Sequence, residues 1–406
     1  MTRPKLEETP GIVWRPMKDD RWEARWYCRS DLAKKGFRPS SMRVWLGTEA
    51  ELTKAAIDYI QNRAQSLQSE MLTWGRGGIT FGSFDGTISA LANCYQTDPD
   101  SPYHKVRYVS RRYYAVLLDR LVSGHGQELI ADIKGRHALR WYEEWSHNDT
   151  KPTMGHQMMG MLRTIVNFGM TILEDGECAR LSAVLSKMKF KTGKARTERL
   201  TAEQATAIRK RSHELGHHSL ALAQAFQFDC ILRQKDVIGE WVPLDEPGLS
   251  DVTDKQVKWL RGLRWEEIDE NLVLRHVTSK RNKLVEIPLS HAPMVMEEIG
   301  LIGRKASGPI VVMESSGRPW HAMWFRKVWR DIANDCGIPK SVRNMDSRAG
   351  AISEATDAGA DLEHIRQAAT HSDIAMTQRY SRGDADKTKS VLLKRVEHRR
   401  MKRERE

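Results

Sequence analysis

The sequence predicts a mainly helical chain with small β-sheets, an α+β fold, and three observations predict it. A short stretch near the N-terminus alternates apolar and polar residues. A long middle stretch repeats its apolar residues at helical spacing, and one strand pair interrupts an otherwise helical C-terminal region. At 406 residues, the chain has the length of two or three domains.

Residues 11–47 read as a small sheet. "WEARWYCRS" alternates Trp22, Ala24, Trp26 and Cys28 with Glu23, Arg25 and Arg29, the period of a half-buried strand. "GIVWRP" before it and "SMRVWLG" after it supply two more strands. Thr48 and Glu51 form a capping-box pattern that opens a helix through "ELTKAAIDYIQNRAQSLQSEML". The glycine-rich "TWGRGGITFGS" (73–83) is a linker. From 84 to 189 the pattern is helical. "HKVRYVSRRYYAVLLDRLV" sets Val106, Val109, Tyr113, Val116, Leu117 and Leu121 at helical spacing, with arginines on the other faces. "MMGMLRTIVNFGMTIL" is apolar almost all round and predicts a buried helix. The basic "KMKFKTGKARTER" (187–199) reads as an interdomain linker.

A third region begins at Thr201, which with Gln204 suits a helix N-cap. It contains the strand pair "LVLRHVTSKRNKLVEIPL" and ends in helical segments that carry Arg348, His371 and Tyr380. In the tail, "KTKSVLLKRVEHRRMKRERE", Val391, Leu392 and Val396 give a small apolar face to a highly charged helix; a solvated charged end is the default reading. The expected division is a sheet-plus-helix domain at 1–75, a helical domain at 80–190, a third domain at 200–398 and a basic tail at 399–406. No internal repeat is present.

Lysine and arginine total 65 against 53 acids, a formal charge of +12 with a pI near 9.4. That balance favours a polyanionic partner, nucleic acid before a membrane surface. Five scattered cysteines without a CxxC pair argue against a disulfide framework and a thiolate zinc site. The N-terminus lacks an apolar signal core and no apolar run reaches membrane-spanning length, so the chain reads as cytoplasmic. "HELGH" spells the HExxH signature, in which His213 and His217 would hold zinc and Glu214 would activate water. Leu220 and Ala223 stand where a third ligand would be, and Gly216 falls where the helix from Thr201 should end. The two histidines then straddle a C-cap, His213, His217 and His218 are surface residues, and no metal site is expected.

The chemistry-bearing order is Arg348, then His371, then Tyr380 nine positions on (380 − 371). A tyrosine hydroxyl can act as nucleophile, and cations can hold the charge that builds on a phosphate. This C-terminal stretch, "NMDSRAGAIS" through "HSDIAMTQRY", closely resembles the signature of the tyrosine recombinase (phage integrase) family. The resemblance covers roughly 80–398, with specific motifs at the C-terminal end and a match of pattern only in the helical domain. It implies a mixed α/β catalytic domain preceded by a helical core-binding domain, which together clamp duplex DNA.

Residue by residue, the resemblance makes Tyr380 the nucleophile and Arg348 the second family arginine. Arg233, in "AFQFDCILRQKDVIG", is the first. Their planar guanidinium forks suit phosphate oxygens. Lys280 stands at the family's hairpin-turn position, with Lys283 as the alternative, and would protonate the departing 5′-oxygen. Attack would leave a 3′-phosphotyrosyl link that keeps the bond energy, so rejoining needs no ATP or other cofactor. Two departures stand out. Met345 occupies a position where the family most often has histidine, and methionine neither takes nor gives a proton. The spacing from Arg233 to Lys280 is long, which assigns "EWVPLDEPGLSDVTDKQVKWLRG" (240–262) to a surface insertion.

Arg107, Arg111, Arg112, Lys187, Lys189, Lys191 and Lys194 are candidate phosphate contacts, which give affinity without sequence choice. The N-terminal sheet resembles the arm-binding domains of some integrases, where Arg25 and Arg43 would contact DNA; the alternative is an accessory sheet whose tryptophans fill a small core. The function implied is a site-specific recombinase of a prophage or other mobile element in a prokaryotic cytoplasm, associated with the nucleoid. Four protomers would act on two DNA sites, with a directionality factor as a further partner. Two alternatives remain: a type IB topoisomerase-like enzyme, and a DNA-binding regulator weakened or inactivated at Met345.

Overall fold

The computed structural model describes residues 6–17, 20–35, 37, 39–75, 84–378, 392–393, 395–396 and 399–400. Two compact units divide it, Met1–Ala195 and Arg196–Glu406.

The first unit opens with an antiparallel sheet in the order β1 (Ile12–Pro16), β2 (Arg21–Tyr27), β3 (Ser41–Thr48). A short helix, α1 (Ser30–Lys35), which the strand pattern did not reveal, lies between β2 and β3. Trp22, Ala24 and Trp26 point into a core shared with Ile60, Leu67 and Met71 of α2 (Lys54–Gly75), as the alternation requires. Glu23 breaks the alternation, being only 4% exposed. Arg43 Nε donates to it at 2.7 Å and Arg25 Nη2 at 3.0 Å, which compensates its desolvation. The predicted cap is displaced: Glu51 accepts from Thr48 N at 2.7 Å around a single 3₁₀ turn, and Thr53 Oγ1, accepting from Ala56 N at 3.3 Å, opens the long helix.

The helical part follows as α3 (Ile88–Thr97), α4 (Tyr108–His125), α5 (Gly135–Trp145), α6 (Pro152–Thr171) and α7 (Gly176–Lys187). Thr87 and Asp175 cap α3 and α7 by accepting from Ala90 N (3.1 Å) and Cys178 N (2.7 Å). The helix α6 is the buried one, with Met158, Met159, Leu162, Ile165 and Val166 inaccessible. In α4 the core takes Leu117, Leu118, Leu121 and Val122, while Val109, Tyr113 and Val116 are exposed. The apolar residues there wrap most of the helix, so their spacing alone did not identify the buried stripe.

The second unit starts with an extended segment that reaches α8 (Ala202–Glu214). Thr201 and Gln204 form the full capping box: Gln204 N donates to Thr201 Oγ1 (3.2 Å) and Thr201 N to Gln204 Oε1 (3.1 Å). Next comes α9 (His218–Asp229), buried from Ser219 to Phe228 at the centre of the unit's core. Then follow α10 (Gln234–Ile238), β4 (Glu240–Pro243), β5 (Thr253–Asp254), β6 (Val257–Leu260), the hairpin β7 (Val273–Val277) and β8 (Leu284–Pro288), α11 (Pro293–Ile302), α12 (Ala322–Asp335), α13 (Asp346–Asp357), α14 (Leu362–Ala368) and α15 (Ile374–Gln378). Among the described residues no helix is long and apolar enough to cross a membrane.

The 240–262 segment is more than a surface insertion. It builds a three-stranded sheet, β4-β6-β5, with Val242, Trp259 and Leu260 buried and Trp241 stacked on His321. Its turn residues suggested a loop, but alternate apolar residues close a small sheet. His213 and His217 do straddle the end of α8, where Gly216 adopts φ +74°. His213 is less a surface residue than expected, since its Nε2 lies 2.7 Å from Oε2 of the buried Glu298 and its Nδ1 2.8 Å from His218 Nδ1. Among the described residues no group of three or more His, Cys, Asp or Glu side chains could hold a metal ion.

Candidate active site

Arg233 is the N-cap residue of α10 and follows a sharp turn in which Ile231 adopts φ +55°. Such a conformation is rare for a β-branched residue and costs roughly 1–3 kcal/mol. The turn presents Ile231 O to Arg348, in the first turn of α13, whose Nη1 donates at 2.6 Å. The Nη2 of Arg348 donates to Ala369 O. Thr370 comes next, also at positive φ (+49°), and its Oγ1 accepts from Arg233 Nη1 at 3.1 Å. Two strained residues on separate segments thus each hold an arginine from elsewhere in the chain. Ile352, Ile365 and Ala369 form a small core against which Ile231 packs, fixing both segments.

Buried amides locate the start of α13. Asn344 Nδ2 donates to Gln227 Oε1 (2.8 Å), and Asn344 Oδ1 accepts from Gln227 (3.0 Å) and Gln234 (2.9 Å). Arg196 adds a bidentate pair to the buried Asp346, at 2.6 and 3.3 Å. Leu200 crosses so close to Gly350 that a Cβ there would overlap Leu200 O.

His371 follows Thr370 directly. Its backbone exchanges bonds with Arg366, from His371 N to Arg366 O (2.9 Å) and from Arg366 Nη1 to His371 O (2.8 Å). The buried imidazole shares a 3.0 Å hydrogen bond between Nδ1 and Thr377 Oγ1. Burial, then the charges of Arg348, Arg233, Arg281 and Arg366, push its pKa from 6.5 down to about 4. At neutral pH it is an uncharged donor and acceptor inside a positive field.

Lys280 is exposed in the turn between β7 and β8. Asp236 ties that turn to Arg233: its Oδ1 accepts from Ser279 N at 2.6 Å, and its Oδ2 lies 3.7 Å from Arg233 Nη1. On the far side of the turn, Arg281 Nη2 donates to Ser372 Oγ at 2.6 Å. Arg233, Arg348, His371 and the Lys280 turn therefore converge. Lys283 is exposed at the turn's other end. Met345 stands one helical turn before Arg348, at the N-cap of α13, and is 60% exposed. Tyr380 lies outside the described residues, as do Val391 and most of the tail. Asp236, Thr370, Ile231, Arg281 and Ser372 were not singled out from the sequence. Only Asp236 left a signal there, one helical turn after Arg233.

The arrangement can do one thing well. Two guanidiniums oriented by backbone carbonyls and a hydroxyl, beside a neutral imidazole and an exposed lysine, make a site for a phosphate anion.

Among the candidate phosphate contacts the structure separates two groups. Arg25 and Arg43, both half-buried, pair with the buried Glu23, and Arg25 also lies 3.4 Å from the half-buried Asp119 of α4, so part of their hydrogen-bonding capacity is already taken within the sheet domain. Arg111 Nη1 donates to Val106 O at 2.6 Å, Arg112 lies over the Tyr108 ring, and Arg107 is the half-buried N-cap of α4. Lys187, Lys189, Lys191 and Lys194 are exposed on or just after α7, and Lys191 pairs with Asp149.

Residues 257–387 match the model of the phage integrase family. Among solved structures, a lambda integrase dimer bound to a COC′ core site superposes with a TM-score of 0.57 at 12% identity, covering 94% of this chain and 97% of that one. A lambda integrase tetramer bound to a Holliday junction gives 0.55 at 11% identity, covering 93% and 97%. The Tn1549 transposon integrase in complex with circular intermediate DNA gives 0.55 at 13% identity, covering 75% and 99%. At such identities the likeness is one of fold. No curated protein sequence matches the chain.

Proposed function

We propose that this chain, whose residues 257–387 match the phage integrase family model, is a tyrosine recombinase: a site-specific DNA recombinase that integrates or excises a mobile element. The observation that carries this reading is the convergence of Arg233, Arg348 and His371 through the carbonyls of Ile231 and Ala369 and the hydroxyl of Thr370, the residue before His371. A scissile phosphate would seat between the two arginines, whose forks hold the charge of the pentacoordinate transition state. Losing one such donor costs ~10²–10³ in rate. The Tyr380 oxygen attacks phosphorus and its proton passes to water, because Met345 offers no base. The P–O5′ bond breaks, Lys280 protonates the leaving oxygen, and a 3′-phosphotyrosyl link and a 5′-hydroxyl result. His371, uncharged, donates a hydrogen bond to a non-bridging oxygen. The reaction reverses with no energy source, since one ester replaces another.

Three parts would serve it: a sheet-plus-helix domain at 1–75, a core-binding domain at 80–190 and a catalytic domain at 200–398, with a basic tail at 399–406. Partners are duplex attachment sites, three further copies of the chain and a directionality factor, in the cytoplasm at the nucleoid. The DNA-bound lambda and Tn1549 integrases of the same fold support the DNA partner, and the lambda tetramer supports assembly. Met345 favours a second reading, a slow or inactive DNA-binding member of the family. Denaturing capture of protein–DNA adducts from cells, comparing wild type with Tyr380→Phe and sequencing the attached DNA, separates the two. Tyrosine-dependent adducts at one or two loci are expected. Scattered adducts would favour topoisomerase-like action, and DNA binding without adducts the inactive member.

A further inference from the structure

The turn that carries Lys280 is hydrogen-bonded across its base, and near its tip the side chain of Arg281 reaches across to a separate segment. At the base, Thr278 N donates to Lys283 O (2.9 Å), Asn282 N to Thr278 O (2.9 Å), and Thr278 Oγ1 to Lys283 O (3.1 Å). The buried Asp236 fixes Ser279 N. Beyond Ser279 the residues from Lys280 to Lys283 are exposed. There, Arg281 Nη2 donates to Ser372 Oγ at 2.6 Å, across 91 residues of sequence. Ser372 is the neighbour of His371, and Arg281 lies near enough for its charge to be felt at the imidazole. An exposed turn tip with a long lysine stem has many conformers, and a general acid acts only from the few that reach the leaving atom.

We propose that Arg281 is a positioning residue: through Ser372 it holds the turn of Lys280 against the His371 segment, so that the Lys280 ammonium meets the departing 5′-oxygen. The proposal rests on the reading of Lys280 as general acid. It assigns Arg281 no contact with DNA. The hydrogen bond that matters is the one to Ser372, so loss of either partner has the same consequence.

The test uses the full chain and duplex oligonucleotides carrying the cleavage site mapped by adduct sequencing. One duplex has the ordinary scissile phosphodiester; the other has sulfur in place of its 5′-bridging oxygen. A thiolate leaves without a proton, so a defect confined to proton delivery disappears on the sulfur substrate. Lys280→Ala sets the scale, being slow on oxygen and near wild type on sulfur. Arg281→Ala should be slowed ~10–100-fold on oxygen, part of the ~10²–10⁴ a general acid supplies, and lie within about threefold of wild type on sulfur. Ser372→Ala should behave likewise, and the double variant should be no slower than Arg281→Ala alone. Equal slowing of Arg281→Ala on both substrates would overturn the proposal, since the residue would then act on the phosphate or on the fold. Wild-type rates on both would overturn it too. If Lys280→Ala itself is not rescued by sulfur, the general-acid reading fails and the proposal falls with it, an outcome distinct from failure of Arg281 alone.

Discussion

Asp236 gives the sharpest test of how the site is held. Its carboxylate is fully buried, accepts from Ser279 N at 2.6 Å and lies 3.7 Å from Arg233 Nη1. Asp236→Asn keeps the shape and the acceptor for Ser279 but removes the charge. At such a separation the attraction to a guanidinium is about 4 kcal/mol at an effective dielectric near 20. The contact is an ion pair rather than a hydrogen bond and Arg233 is 22% exposed, so water recovers part of that attraction and a net loss of ~2 kcal/mol in arginine positioning is expected. If the loss falls on the transition state, cleavage slows about 30-fold. Stability should move less, because the asparagine also avoids desolvating a carboxylate. Asp236→Ala leaves Ser279 N buried and unpaired, adding roughly 1–3 kcal/mol of destabilisation. The assay is single-turnover cleavage at saturating protein, beside a urea melt. An Asp236→Asn variant that cleaves at the wild-type rate would refute the argument, since Arg233 would then need no carboxylate to be placed.

Other expectations follow from the same geometry. Arg233→Ala and Arg348→Ala should bind duplex DNA in a gel-shift assay yet form no covalent adduct, and full activity in both would mean the site is misassigned. Because the imidazole of His371 titrates near 4 when folded and 6.5 when not, the unfolded chain binds the extra proton between those values. Stability should therefore fall as pH drops below about 6.5 and level off near 4, by up to ~3 kcal/mol. His371→Gln should flatten that part of a pH series of urea melts; an unchanged slope would show that other groups cause it. Met345→His restores a proton-handling group on the exposed face before Arg348 and should speed cleavage by up to ~10²-fold, whereas an unchanged or slower rate would mean the pocket is built around methionine. Gly350→Ala places a methyl against Leu200 O and should destabilise the second unit by roughly 1–3 kcal/mol, read as a lowered urea midpoint; an unaltered midpoint would show that the segment yields freely.

Periodicity alone determined much of this protein. The alternation of Trp22, Ala24 and Trp26, the capping box of Thr201 and Gln204 and the strand pair around Lys280 each express local backbone preferences, and each appears where the sequence places it. The candidate set Arg233, Lys280, Arg348, His371 and Tyr380 came from a different source, a resemblance of motifs, and the structure brings Arg233, Arg348, His371 and the Lys280 turn together. Tertiary structure decided what distance in space decides. It turned the core of α4 toward Leu118 and Val122 and made a sheet of 240–262. It paired Arg25 and Arg43 with the buried Glu23, and moved the cap of α2 from Thr48 to Thr53. It also assembled the site's supports. Ile231 and Ala369 lie far apart in sequence, and neither has a side chain that advertises a role. Their carbonyls orient Arg348 because the fold closes around it, and backbone carbonyls carry no signature in a sequence.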